Sequence, residues 1–125
     1  MRGPVEIVEA FCAMWEQPGG FAASMREYFT DQTDYENVGM TRTVGIEQGL
    51  ALVAGFENDM GIARIKVDML AIAANGDTVL TERVDHMINA AGETFVSLRL
   101  MGIFELKDGK IAKWRDYFDT APFKG

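Results

Sequence analysis

Residues 62–119 carry the pattern that decides the fold, and they read IARIKVDMLAIAANGDTVLTERVDHMINAAGETFVSLRLMGIFELKDGKIAKWRDYFD. Apolar and polar residues alternate along much of this stretch, and the turn sequences NGD, AG and KDGK interrupt it. Short turns that contain glycine join neighbouring antiparallel strands. We therefore predict an antiparallel meander of four strands, at residues 62–74, 78–89, 93–106 and 110–119.

The part of the chain before residue 62 has the three-and-four spacing of helices. Pro4 stands at a first helical position. An apolar stripe follows it as far as residues 18–20, and consists of Val5, Val8, Phe11, Cys12 and Trp15. We predict two further helices at residues 21–29 and 45–60, with a short strand at 34–38 between them. Helices followed by a long sheet predict an α+β fold in which the helices cover one concave face of the sheet.

The composition restricts the classes of function. A chain of 125 residues with 48% hydrophobic residues has the size of one domain, which we expect over residues 1–125. The net charge is −7 and the basic residues form no stripe, so nucleic acid is not an expected partner. Cys12 and His86 are the only cysteine and histidine, too few for a disulfide or a structural zinc site. No uncharged apolar run approaches the ~20 residues of a membrane span, and we expect a cytoplasmic protein without metal or signal peptide.

Three predicted strands carry polar residues whose spacing puts them on one face. Side chains two residues apart on a strand point to the same side, which pairs Tyr35 with Asn37 and Arg83 with Asp85. Asp116 has large aromatic residues two positions before and two positions after it, so it is not expected on a solvated face. A buried carboxylate needs a partner, and the planar fork of Arg83 could contact two carboxylates. This spacing fits a functional site and a satisfied core network equally well, and a Tyr-x-Asn pair is also common on ordinary edge strands.

Other reactive residues give weaker hypotheses. His86 follows Asp85 directly, so the two side chains are expected on opposite faces of the strand and cannot form a dyad. Cys12 lies on the apolar stripe of the first helix, where a buried hydrophobe is expected rather than a reactive thiolate. Ser24 and Ser97 are not in a nucleophile-elbow sequence, and the chain has no glycine-rich phosphate loop.

Taken in order, Tyr35-Glu36-Asn37, Arg83-Val84-Asp85 and the segment Trp114 to Asp119 resemble the active-site pattern of the limonene-1,2-epoxide hydrolase family. The resemblance spans nearly the whole chain and matches five catalytic positions: Tyr35, Asn37, Arg83, Asp85 and Asp116. It implies a cone-shaped nuclear transport factor 2-like fold, a curved, mixed but mainly antiparallel sheet with helices on its concave face. It also implies a cofactor-free enzyme that is commonly a homodimer.

The resemblance further implies a lipophilic pocket and a reaction. By position, the pocket would be lined by Met87, Leu98, Leu100, Phe118 and Phe123. The substrate would be a small lipophilic epoxide, terpene-like or cyclic, which water opens to a vicinal diol. Asp116 would be the general base, with Tyr35 and Asn37 on the same water, and Asp85 the acid. Residues 38–45 match no part of the family pattern, which leaves the shape of the substrate open.

Two alternative functions remain open. A polyketide-cyclase-like or ketosteroid-isomerase-like enzyme would move a proton next to a carbonyl, but would leave Asn37 and Arg83 without clear roles. A non-catalytic ligand-binding or dimerising module would use the polar cluster only to satisfy its core.

We expect a homodimer, because a sheet with helices on one side leaves the residues of the other side without a cover, among them Leu80, Val84 and Ile88.

Overall fold

In the computed structural model, residues 2–123 form three helices and one six-stranded sheet. The helices are α1 (Pro4–Met14), α2 (Gly20–Tyr28) and α3 (Ile46–Met60), and a single 3-10 turn covers Ala121–Phe123. The strands are β1 (Phe29–Asn37), β2 (Thr41–Val44), β3 (Arg64–Asn75), β4 (Thr78–Ile88), β5 (Thr94–Lys107) and β6 (Lys110–Tyr117). None of the helices within the described residues is long and apolar enough to cross a membrane.

The sheet has the strand order β2-β1-β6-β5-β4-β3. Strands β3 to β6 form the predicted antiparallel meander, and β1 joins it by pairing in parallel with β6. The register shifts at one point in each of these four pairings, and such bulges bend and twist a strand. The result is the α+β architecture expected from the sequence, with a mixed, mainly antiparallel sheet.

The helices pack on one face of the sheet because their apolar stripes need a cover. Helix α1 packs on β3 and β4, while α2 and α3 both lie against β1. The turn between α1 and α2 is tight enough to require glycine at position 20, since a Cβ there would overlap the backbone oxygen of Met14. A glycine thus lets the start of α2 approach the end of α1 closely.

Aromatic rings fill much of the space between the helices and the sheet. Phe11 of α1 is fully buried and packs against five rings, those of Trp15, Tyr28, Phe29, Phe104 and Trp114. Most of these contacts are edge-to-face, the arrangement that aromatic quadrupoles prefer. Cys12 is buried next to Phe11, as expected, and burial raises the pKa of its thiol to about 12.

The structure corrects the sequence prediction in the region before the third helix. The first strand begins at Phe29 and not at residue 34, and α2 accordingly ends at Tyr28. The polar run at residues 30–34 does not have the composition of a strand, but Thr33 is buried and its hydroxyl donates a hydrogen bond to the backbone of Ile111 on β6. Strand β2 was not predicted, because four residues give too short a pattern to detect.

The prediction that Ile88 is uncovered is wrong. Ile88 is only 5% exposed, although Leu80 on the same strand is 44% exposed and Val84 is half-buried, as expected for the outer face. The register between β4 and β5 shifts between Met87 and Ile88, so strict alternation does not hold at this end of the strand.

Candidate active site

Arg83 is the centre of a polar network on the helix-covered face of the sheet. Its side chain is fully buried, and it binds Asp85 through two hydrogen bonds, Nε to Oδ1 at 3.1 Å and Nη2 to Oδ2 at 3.0 Å. The same Nη2 donates to Oδ2 of Asp116 at 3.0 Å. The rings of Trp15 and Phe104 flank the guanidinium, with centroids 5.5 and 5.8 Å from its central carbon. One guanidinium thus holds two buried carboxyl groups in a fixed arrangement.

Asp116, which is 3% exposed, accepts a hydrogen bond from a second side chain besides Arg83. Its Oδ1 accepts a hydrogen bond of 2.7 Å from the indole nitrogen of Trp114. Burial raises the pKa of Asp116 above the ordinary aspartate value, although the charge of Arg83 and the hydrogen bonds from Arg83 and Trp114 oppose that effect. A carboxylate with a raised pKa takes up a proton more readily, which suits a general base.

Tyr35 and Asn37 lie beside Asp116 because β1 pairs in parallel with β6. Asn37 is opposite Asp116 in that register, and the ring of Tyr35 stacks on Trp114 with 3.9 Å between centroids. The Asn37 amide nitrogen donates to the Tyr35 hydroxyl at 3.2 Å and to Oγ1 of Thr41 at 3.0 Å. Both amide protons are therefore used, and the amide oxygen is left to accept a hydrogen bond from a molecule in the pocket. Burial raises the pKa of Tyr35, so its hydroxyl stays neutral.

An apolar pocket opens directly onto this polar group. Its empty space, open entrance included, is about 660 Å³. Tyr35, Asn37, Asp85 and Asp116 reach the pocket, while Arg83 lies behind them. The wall contains the five residues expected from the sequence and others from the helices, the strands and the segments between them: Met87, Leu98, Leu100, Phe118, Phe123, Trp15, Phe21, Met40, Thr41, Phe56, Met60, Ile62, Ile65 and Trp114.

Sequence reasoning missed three residues of the network. Thr81 Oγ1 accepts a hydrogen bond from Nη1 of Arg83 at 3.0 Å, and its position two residues before Arg83 could have revealed it. Trp114 was read only as an apolar neighbour of Asp116, but its N–H binds that carboxylate. Thr41 lies on the strand that was not predicted.

His86 lies on the outer face of the sheet, away from Asp85, as expected. Its ring nitrogens contact Oδ2 of Asp68 and Oγ of Ser97, both at 2.7 Å. Within residues 2–123, no group of three or more His, Cys, Asp or Glu side chains is arranged to hold a metal ion.

The fold and the pocket place the chain in the class of nuclear transport factor 2-like α+β proteins. A SnoaL-like polyketide cyclase structure from Jannaschia sp. CCS1 has a TM-score of 0.70 at 21% identity and covers 98% of this chain and 93% of its own. A hypothetical protein from Catenulispora acidiphila with a ketosteroid isomerase-like fold has a TM-score of 0.73 at 21% identity and covers 91% of this chain and 85% of its own. At these identities the likeness shows the fold alone.

Within this class the chain belongs to the limonene-1,2-epoxide hydrolase family. The family model described as the limonene-1,2-epoxide hydrolase catalytic domain matches residues 2–123. Epoxide hydrolase EphG of Mycobacterium tuberculosis is 40% identical over 96 residues, which are 76% of this chain but only 61% of that protein. The structure of an M. tuberculosis epoxide hydrolase of this type has a TM-score of 0.75 at 31% identity, covering 94% of this chain and 83% of that one.

The hydrogen bond from Trp114 to Asp116 generates a prediction. Trp114→Phe keeps an aromatic ring on Tyr35 but removes the N–H that stabilises the ionised carboxylate, so the pKa of Asp116 should rise further. NMR titration of the Asp116 carboxyl carbon would measure this pKa in the variant and in wild type. Trp15→Phe is the matched control, because the N–H of Trp15 donates to Ser24 and not to a carboxylate. An unchanged pKa in Trp114→Phe would show that this hydrogen bond contributes little.

Proposed function

We propose that this protein is an epoxide hydrolase that converts a small lipophilic epoxide, terpene-like or cyclic, to a vicinal diol by direct attack of water. The observation that carries the proposal is the arrangement at Arg83, which holds two buried carboxyl groups at 3.0 Å from a single nitrogen. Both carboxyls face an apolar pocket. Family membership supports the same reaction, as does the likeness to M. tuberculosis epoxide hydrolase EphG and to the solved structure of an M. tuberculosis epoxide hydrolase of this type.

Opening an epoxide with water needs an acid and a base at the same time. Water is a poor nucleophile and an alkoxide is a poor leaving group, so one group has to take a proton from water while another gives one to the epoxide oxygen. Two carboxyl groups close together cannot both ionise readily, which keeps one proton on the pair. We assign the ionised form to Asp116 and the proton to Asp85.

The assignment follows from what surrounds each carboxyl group. Asp116 lies next to Tyr35 and Asn37. A water molecule there can donate one proton to Asp116 and the other to the amide oxygen of Asn37, and can accept the proton of the Tyr35 hydroxyl. One lone pair of the water is then left for the epoxide carbon, and this positioning favours attack. Asp85 reaches the pocket beside Met87, Leu98 and Leu100.

The reaction then takes one step. The water oxygen bonds to a ring carbon as the carbon–oxygen bond of the epoxide breaks, Asp116 takes a proton from water, and Asp85 gives its proton to the departing oxygen. A net proton transfer from Asp116 to Asp85 restores the starting state. No step in this scheme calls for a cofactor.

The direct test is formation of diol from a panel of hydrophobic epoxides. Asp116→Asn should lower kcat by about 100- to 10,000-fold, because the amide cannot take a proton from water. Asp119→Asn, at an exposed position three residues further on, should keep wild-type activity. A wild-type protein that isomerises or cyclises carbonyl substrates and forms no diol would favour the cyclase or isomerase alternative. A protein that binds these compounds unchanged would favour the non-catalytic module.

A single turnover in oxygen-18 water, with enzyme in excess, separates direct water attack from a covalent route through an aspartyl ester. Direct attack should put the heavy oxygen in essentially all of the diol, since the new oxygen comes from water. The structure supports this expectation, because the one histidine lies on the opposite face of the sheet and cannot activate water against an ester. Unlabelled diol in the first turnover, with label in Asp116, would identify Asp116 as the nucleophile.

We also propose that the protein is a homodimer that pairs through the outer face of the sheet. Apolar side chains meet there on adjacent strands. The exposed Met101 of β5, at 51%, is opposite the exposed Tyr117 of β6, and the exposed Leu80 of β4 is opposite the half-buried Ile103 of β5. Apolar surface shared by neighbouring strands favours a self-complementary contact.

Light scattering at micromolar concentration should therefore give the mass of two chains. Leu80→Glu combined with Met101→Glu should give a monomer, because the charges would have to be buried in the contact. Met60→Glu is the control, since Met60 is an exposed apolar residue of α3, on the side of the sheet that the helices cover. A monomeric wild-type protein would contradict the proposal.

A further inference from the structure

A glycine lies where the polar network crosses from one strand to another. Gly102 is buried on β5, with Thr81 of β4 opposite it on one side and Asp116 of β6 on the other. Neighbouring strands are about 4.8 Å apart, so β4 and β6 are separated by about 10 Å. The side chain of Arg83 therefore has to pass over β5 to reach Asp116.

The space beside Gly102 is where Arg83 makes this crossing. A Cβ at position 102 would overlap both Nη1 of Arg83 and Oδ1 of Asp116, and would lie 3.1 Å from Oγ1 of Thr81. These are the atoms that hold the network together, since Nη1 donates to Thr81 and Oδ1 accepts from Trp114. The backbone of Gly102 is outside the left-handed region, so its φ angle does not require glycine. A side chain is excluded at this position by the network alone.

We propose that Gly102 is a positioning residue of the active site, whose missing side chain lets Arg83 reach Asp116 across β5 and so fixes the distance between the two carboxyl groups. This inference rests on the proposed function, because it assigns the two carboxyls to one reaction. Gly102 touches no substrate in this scheme and acts only through Arg83 and Asp116. No sequence signal marks it, because glycine in a strand is ordinarily a neutral or unfavourable choice.

The first test is Gly102→Ala, assayed for diol formation beside wild type. The added methyl group should push Arg83 away from Asp116 and lower kcat on the order of 100-fold, the effect of misplacing a reacting group by about 1 Å. KM should change little, because the apolar wall of the pocket is untouched. Gly55→Ala on α3 is the control, since the nearest atom to its added Cβ is a side-chain oxygen of Asp59 at 3.8 Å.

The pH profile separates a positioning effect from general damage to the fold. Three groups set the pKa of Asp116 from close by: Arg83 and Trp114 lower it and Asp85 raises it. If Arg83 moves away, the pKa of Asp116 rises. The fall of kcat on the acidic side of the pH profile should then shift to higher pH. A folded Gly102→Ala with wild-type kcat and an unmoved fall on the acidic side would overturn the proposal. Absence of diol from wild type would instead overturn the proposed function.

A stability cycle tests the same contact without any substrate. Alanine ordinarily stabilises a strand relative to glycine, so a loss of Tm in Gly102→Ala would already indicate a clash. In the Arg83→Ala background the crossing side chain is absent and Asp116 can turn aside. Gly102→Ala should then lower the Tm little or not at all. Recovery of folding in the double variant would support the proposal even if Gly102→Ala alone is insoluble. An equal loss of Tm, or equal failure to fold, in both backgrounds would overturn it.

Discussion

The buried charge of Arg83 is the constraint on which the rest of this structure depends. Removing a guanidinium from water costs several kcal/mol, and the cost is recovered only if carboxylates and other acceptors surround it. Asp85, Asp116 and Thr81 supply these acceptors from two strands that are not neighbours in the sheet. The register of three strands is therefore tied to one side chain, because a slip of one residue would turn the partners to the opposite face. The guanidinium of Arg83 also holds the two carboxyl groups of the proposed reaction close together.

Aromatic rings around the network support it without competing for its hydrogen bonds. Trp15 and Phe104 flank the guanidinium, and Phe11 links both rings to Trp114. Trp114 has a second function, since its N–H is the only donor of its ring and it binds Asp116. Large flat side chains help to bury the carboxyls, and burial raises the pKa of Asp116. The hydrophobic core and the chemistry of the site are thus built from the same residues.

The pocket divides into an apolar wall and a polar end, which suits a lipophilic molecule with one reactive group. Residues from the sheet, from α3 and from the segment after β6 form the wall, so its shape depends on how these parts of the chain pack. The polar end depends on the pairing of β1 with β6, which brings Asn37 opposite Asp116. The chemistry is therefore set by the sheet, and the shape of the bound molecule by the elements around it.

The sequence by itself determined the α+β class, the four-stranded meander and the faces on which Arg83, Asp85 and Asp116 lie. These follow from alternation and turn residues, which are local properties of the chain. It also supported the family resemblance through five residues in order. Only the tertiary structure decided that β1 begins at Phe29 and pairs in parallel with β6, that Ile88 is covered, and that Trp114, Thr81 and Gly102 belong to the network. The pairing of β1, the cover of Ile88 and the place of Gly102 depend on contacts between residues distant in the chain, and local periodicity carries no information about such contacts. Thr81 and Trp114 are each two residues from the side chain they bind, so periodicity put them on the right face but could not show the hydrogen bonds.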